Sequence, residues 1–145
     1  MSAGYRTLHL DDIPTVEFDD DVTPTWKPVR RQLGVAAFGT NAYVAEEPGD
    51  VVVERHDELP EEGSGLPGQQ ELYLVLAGSA RFEIGDEVVD LPARGIVFIE
   101  DPALVRRATA LERQTVVFAV GAPQGAPFEP SAWEEEFLRR GRTAE

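Results

Sequence analysis

Between Arg30 and Val120 the sequence is broken into short runs of strand-forming residues, and almost every break is a cluster of glycine, proline and aspartate. The runs are Val29 to Ala37, Thr40 to Ala45, Val51 to His56, Glu71 to Ala77, Ala80 to Ile84, Glu87 to Leu91, Ile96 to Ile99, Val105 to Ala110 and Thr115 to Val120. Among the separators are PGD at 48–50, AGS at 77–79, GDE at 85–87 and EDP at 100–102. No segment of helical period lies between them. Such spacing, with no helix-period segment between the strands, reads as an all-β antiparallel sandwich or barrel. The runs LYLVLA, IVFI and VVFAV are apolar on both strand faces. Their outer faces therefore need cover from another layer, from the chain's own flanks or from a second subunit.

The flanks have a different character. Residues 1–28 read as an N-terminal arm: a β-like YRTLHL, an acidic stretch, and TPTWKP, where two prolines forbid a long helix and Trp26 offers a large apolar anchor. The arm is expected to pack on the barrel or on a second subunit, with Trp26 at or beside any subunit contact. Residues 29–122 form the barrel, and 123–145 a tail that is irregular through APQGAPFEP and then helical from Ser131. Ser131 and Glu134 have capping-box spacing, while Arg139 and Arg140 close the helix in the sense its dipole favours. Trp133 and Phe137 share a helix face, which is expected to be core packing.

A chain of 145 residues fits one domain with a real core. It has no cysteine, which excludes disulfides, thiolate metal sites and a cysteine nucleophile. The formal charge is −14, from 27 acidic and 13 basic residues. Such a surface repels phosphate backbones and anionic membranes over a screening length of roughly 8 Å, so neither nucleic acid nor a membrane is an expected partner. No apolar run approaches the roughly 20 residues of a membrane helix, and MSAGYRTLHLDDIP lacks the order of a signal peptide. A soluble cytoplasmic protein is expected.

Gly49, His56, Glu58, Glu71 and Gly78 follow one another along a strand, a long Gly/Pro-rich loop (LPEEGSGLPGQQ) and a second strand, and DLPARGIVFIEDPALVRR then repeats a strand, turn and strand. This arrangement resembles the two motifs of the cupin superfamily, in its cupin-2 type of conserved barrel, and the resemblance implies a single-domain all-β barrel of jelly-roll type. Two departures stand out. Glu58 takes the place of the second histidine of the first motif, and the last histidine of the second motif falls on Val105 or Arg106, depending on register. With only His9 and His56 in the whole chain, a three-histidine site cannot form within it.

Strand parity places Glu54, His56 and Glu58 on one face of their strand and Glu71, Tyr73 and Val75 on one face of the next. If both faces line the barrel interior, one imidazole and two carboxylates meet there. His56, Glu58 and Glu71 would then suit one divalent ion such as iron, manganese or zinc. Alternatively Arg106, near the vacated histidine position, or Arg81 neutralises the carboxylates and leaves a metal-free pocket. Tyr43 and Tyr73 are candidate pocket walls with hydrogen-bonding hydroxyls. No GxSxG, P-loop, GxGxxG or HExxH motif occurs. Two functions stay open: a homodimeric barrel binding a small polar molecule, or a metal-dependent dioxygenase or isomerase built on His56, Glu58 and Glu71.

Overall fold

A computed structural model describes residues 4–144. A short 3-10 helix, Leu10–Asp12, precedes strands β1 (Thr15–Glu17) and β2 (Thr25–Lys27), helix α1 (Val29–Leu33), and strands β3 (Gly39–Val44), β4 (Val51–His56), β5 (Gln69–Ala77) and β6 (Ser79–Ile84). Strands β7 (Glu87–Pro92), β8 (Ile96–Ile99), β9 (Arg106–Ala110) and β10 (Val116–Pro123) complete the barrel. Helix α2 (Ala132–Arg140) and strand β11 (Arg142–Ala144) follow. Every strand pair is antiparallel. A seven-stranded sheet runs β11-β1-β2-β3-β10-β5-β8, and a four-stranded sheet runs β4-β9-β6-β7. The antiparallel all-β architecture read from turn spacing is therefore present, as two sheets that form the jelly-roll barrel the resemblance implies.

The core lies between the two sheets. Val52, Val53, Tyr73, Val75, Phe82, Ala108 and Val117 are buried there. Each comes from the inward parity of its strand except at β4, where register shifts on both sides of Val53 let two consecutive valines face inward.

Arm and tail are integral to the larger sheet, because β1 and β2 extend it from β3 and β11 pairs with β1. Trp26 is fully buried within the chain. Its ring packs against Trp133 and Phe137 of α2, at centroid distances of 5.3 and 5.9 Å, and its Nε1–H donates to Asn41 Oδ1 at 2.8 Å. The arm thus packs on its own barrel, and Trp26 is not available to a subunit contact.

Two local expectations need correction. Val29 to Ala37 is not a strand: α1 starts beside Pro28 and stops at Gly34, whose φ of 70° gives the left-handed cap that an L side chain adopts only with strain. The helix spacing puts Val29 and Leu33 on one side, against Ala42, Ile13 and Phe118 on the outside of the large sheet. The capping box of α2 does not form either. Ser131 makes no side-chain cap, and the Glu134 carboxylate, instead of reaching back to the Ser131 N–H, is taken by Arg30 Nε and Nη2 at 2.8 and 3.0 Å in a nearly buried bidentate pair. That pair ties α2 to α1.

The cover supplied by α1 and the 3-10 helix stops short of the sheet's other end. On β5 and β8 the outward residues Leu76, Ile96 and Phe98 are 44%, 57% and 53% exposed. Leu72 pairs with Phe98 and Leu74 with Ile96 across the strands, so this end is a continuous apolar face at an edge strand.

Candidate functional site

A cavity of about 440 Å³ opens at one end of the barrel. Its floor is contributed by β4, β5 and the start of the long loop, and its wall by β3 and the C-terminal segment. The structure brings His56, Glu58 and Glu71 together, with one ligand-type atom from each lying within 4.8 Å of the others. His56 ends β4, and Glu71 and Tyr73 face inward from β5, as strand parity requires. Glu58 lies beyond β4 and owes its position to backbone clamps. Its N–H donates to Pro102 O at 2.9 Å, and its carbonyl accepts from Gln69 N–H at 3.0 Å. Gly68 makes that approach possible, since a Cβ there would run into Pro102 and the Glu58 carbonyl.

Of Val105 and Arg106, it is Arg106 that the structure turns into the site. It stands opposite His56 across β4 and β9, points inward and is 0% exposed. Its Nη1 donates to Glu71 Oε1 at 2.7 Å, while Nε and Nη2 donate to Leu104 O at 3.0 and 2.8 Å. Glu71 Oε1 also accepts from the Tyr73 hydroxyl. His56 Nε2 lies 2.9 Å from Glu58 Oε1 and 3.5 Å from Glu71 Oε1, and Nδ1 lies 2.5 Å from Glu54 O. Arg81 takes no part in this. Ala80 and Phe82 carry the inward parity of β6, so Arg81 faces solvent and pairs with Asp90 at 2.8 and 2.9 Å.

The electrostatics follow from this packing. Burial alone would push the His56 imidazolium toward deprotonation, but its hydrogen bonds to Glu58 and Glu71 overcome that and raise its pKa to about 10. Burial raises the Glu58 carboxyl, and the neighbouring Glu71 charge adds to the rise against the pull of His56. Glu71 is also penalised by burial, yet His56, Tyr73 and Arg106 together hold it below the ordinary carboxylate value. Tyr43 and Tyr73 are pushed well above the phenol value by burial and then by the Glu71 charge. With His56 protonated, two cations balance two carboxylates.

The same residues fit a divalent ion by donor type. One imidazole nitrogen and two carboxylate oxygens converge, and a hydrogen bond from Nδ1 to Glu54 O would leave Nε2 as the free lone pair. A proton and a metal ion would compete for that nitrogen.

The wall holds residues that strand spacing does not mark. Phe128, Trp133 and Phe137 line the cavity with Tyr43 and Asn41. Trp133 and Phe137, expected as core packing, both pack on Trp26 and border the cavity. Asn41 shares inward parity with Tyr43 and was readable on that ground. Phe128 sits in the irregular proline-rich segment, where no period signals its direction.

Comparison with solved structures places the architecture. A cupin protein from Bacteroides fragilis superposes with a TM-score of 0.61 at 14% identity, covering 90% of this chain and 93% of that one. A double-stranded β-helix protein from Klebsiella pneumoniae gives 0.60 at 18% identity, over 97% and 98% of the two chains. A sugar phosphate isomerase of the cupin superfamily from Silicibacter pomeroyi gives 0.61 at 14% identity, over 82% and 76%. No family model and no curated protein matches the sequence. The fold is that of the cupins, the double-stranded β-helix, and at these identities the likeness concerns the fold alone.

Proposed function

We propose that this chain is a cupin barrel that binds a small molecule in the cavity above His56, Glu58 and Glu71, with its site closed by an internal charge network instead of a metal ion. Arg106 carries this reading. It is completely buried, it is one of the two residues on which the resemblance places the last ligand histidine, and it already supplies a positive charge to Glu71. With imidazolium at His56 the four charged groups are neutral as a set, so the two carboxylates need no metal ion to offset their burial. The cavity volume lies in the range of about 300–1,000 Å³ usual for small-molecule sites, and its aromatic wall with a few polar groups is the composition such sites have. Isothermal titration of divalent metals into chelator-treated protein tests the reading. No uptake is expected at micromolar metal.

A second reading is supported by the convergence of the three donors. In it His56, Glu58 and Glu71 hold one iron, manganese or zinc ion, which would supply Lewis acidity to a dioxygenase or isomerase. Stoichiometric uptake that disappears in His56→Ala would establish it.

For assembly we propose a homodimer through the β5–β8 face. Copies of a chain carrying −14 charges repel one another. The strip of Leu72, Leu74, Leu76, Ile96 and Phe98 is apolar and lies at an open sheet edge, so a second copy of the same strip is a complementary cover. Among the described residues, no helix is long and apolar enough to cross a membrane.

A further inference from the structure

The sign of the ligand can be read from which charged groups in the cavity are already paired. The cations of the floor are committed. Arg106 spends Nε and Nη2 on Leu104 O and Nη1 on Glu71, and both ring nitrogens of His56 face oxygen partners. The carboxylates are not exhausted in the same way. Glu71 receives its donors through Oε1 and Glu58 is engaged through Oε1, while the second oxygen of each has no donor among the described residues. Glu54, half-buried on β4, has no donor to its carboxylate among the described residues. The Tyr43 hydroxyl also has no partner among them, but it can serve either polarity and does not decide the sign.

An arriving anion would find its cations spent and unpaired carboxylate oxygens in its way. Two cations near the mouth make no ion pair among the described residues, and both are exposed: Arg55, which borders the cavity from β4 but is turned away from the floor by the alternation of the strand, and Arg140, whose guanidinium lies over the Phe137 ring. The opposite wall supplies Phe128 and Trp133, whose ring faces favour cations as well as apolar bodies, while the Phe137 ring already carries the Arg140 guanidinium at 5.0 Å.

We infer that the ligand carries a protonated amine head, held by the free oxygens of Glu58 and Glu71 with Glu54 nearby, and an apolar or aromatic body packed on Phe128 and Trp133. Sugar phosphates and other anions are excluded from this cavity. The inference rests on the pocket-binding reading above and adds the charge and the orientation of the ligand.

Titration calorimetry of the chelator-treated full chain with four probes tests it: 2-phenylethylamine, its neutral counterpart 2-phenylethanol, the anion 3-phenylpropionate and glucose 6-phosphate. The amine is expected to bind about tenfold or more tightly than the alcohol, the difference between a charge-assisted and a neutral hydrogen bond, and neither anion should bind. Glu58→Gln keeps the shape of the site and should weaken amine binding about tenfold, a larger loss than it causes for the alcohol, so that most of the preference for the amine disappears. If the alcohol equals the amine, or either anion binds as well, the inference about charge is overturned and the pocket reading survives. If none of the four binds, and the fluorescence of Trp133 is unmoved by all of them, the pocket reading falls with it.

Discussion

Replacing Arg106 by methionine keeps most of the side-chain volume and removes the buried cation. The guanidinium is 0% exposed and makes three hydrogen bonds, one to Glu71 and two to Leu104 O. Breaking a buried ion pair from one side costs about 3–5 kcal/mol, because the remaining charge is left desolvated and unpaired. Glu71 keeps the Tyr73 hydroxyl and His56 as partners, which reduces the penalty, while the Leu104 carbonyl loses its side-chain donors. A net loss of about 2–4 kcal/mol is expected, against a total stability of about 5–15 kcal/mol for a domain of this kind. Urea unfolding followed by tryptophan fluorescence should therefore show a lower midpoint with an unchanged slope. The double variant Arg106→Met, Glu71→Gln should be less destabilised than the sum of the single variants by about 1–3 kcal/mol, since the charge stranded by the first change is removed by the second. If Arg106→Met lies within about 0.5 kcal/mol of the parent protein, the buried pair does not hold the floor together, and the reasoning that puts it in place of a metal fails.

Three further outcomes follow from the same geometry. His56 is more basic in the folded chain than the ordinary histidine value of 6.5, so its contribution to stability is fully present below about pH 6.5 and is lost as pH rises toward about 10. Water screens a side chain 35% exposed, which limits the contribution to about 1–2 kcal/mol; a pH series of urea midpoints should show the decline, and His56→Ala should flatten it. Phe98→Glu places a charge in the middle of the β5–β8 face, and light scattering at micromolar concentration should change from a dimer mass to a monomer mass with the circular dichroism spectrum intact; a monomer in the parent protein would refute the proposed interface. Trp26→Ala removes a fully buried ring that α2 packs against, so a loss of about 3–5 kcal/mol and early detachment of α2 in hydrogen exchange are expected, whereas a surface-like cost would contradict the packing.

The barrel was legible in the sequence because its information is local. Turn residues punctuate the strands, and β4 and β8 end where the runs Val51 to His56 and Ile96 to Ile99 end. The 29–37 segment misled because Val35, Ala36 and Ala37 continue an apolar run. The decisive signals were Pro28 at one end of α1 and Gly34 at the other. Within the floor, parity was enough to bring Glu71 and Tyr73 to His56, since alternation is a property of the strand itself. Glu58 had to be placed by contacts with Pro102 and Gln69, which are distant in sequence and leave no periodic trace. The same holds for Arg106 against Arg81. Both are strand arginines, and only the pairing of β9 with β4 sets one opposite His56 while β6 turns the other to solvent. The aromatic wall was the least legible part, because it depends on where an irregular segment crosses the barrel mouth before α2 docks.

The most direct test of the site is the metal content of protein purified without an affinity tag, measured by inductively coupled plasma mass spectrometry alongside the thermal midpoint before and after chelation. A site closed by Arg106 and protonated His56 should carry less than about 0.1 transition-metal ion per chain, with a midpoint indifferent to chelator. About one ion per chain, lost together with several degrees of stability on chelation and absent in His56→Ala, would contradict the charge-network reading and establish His56, Glu58 and Glu71 as a metal centre.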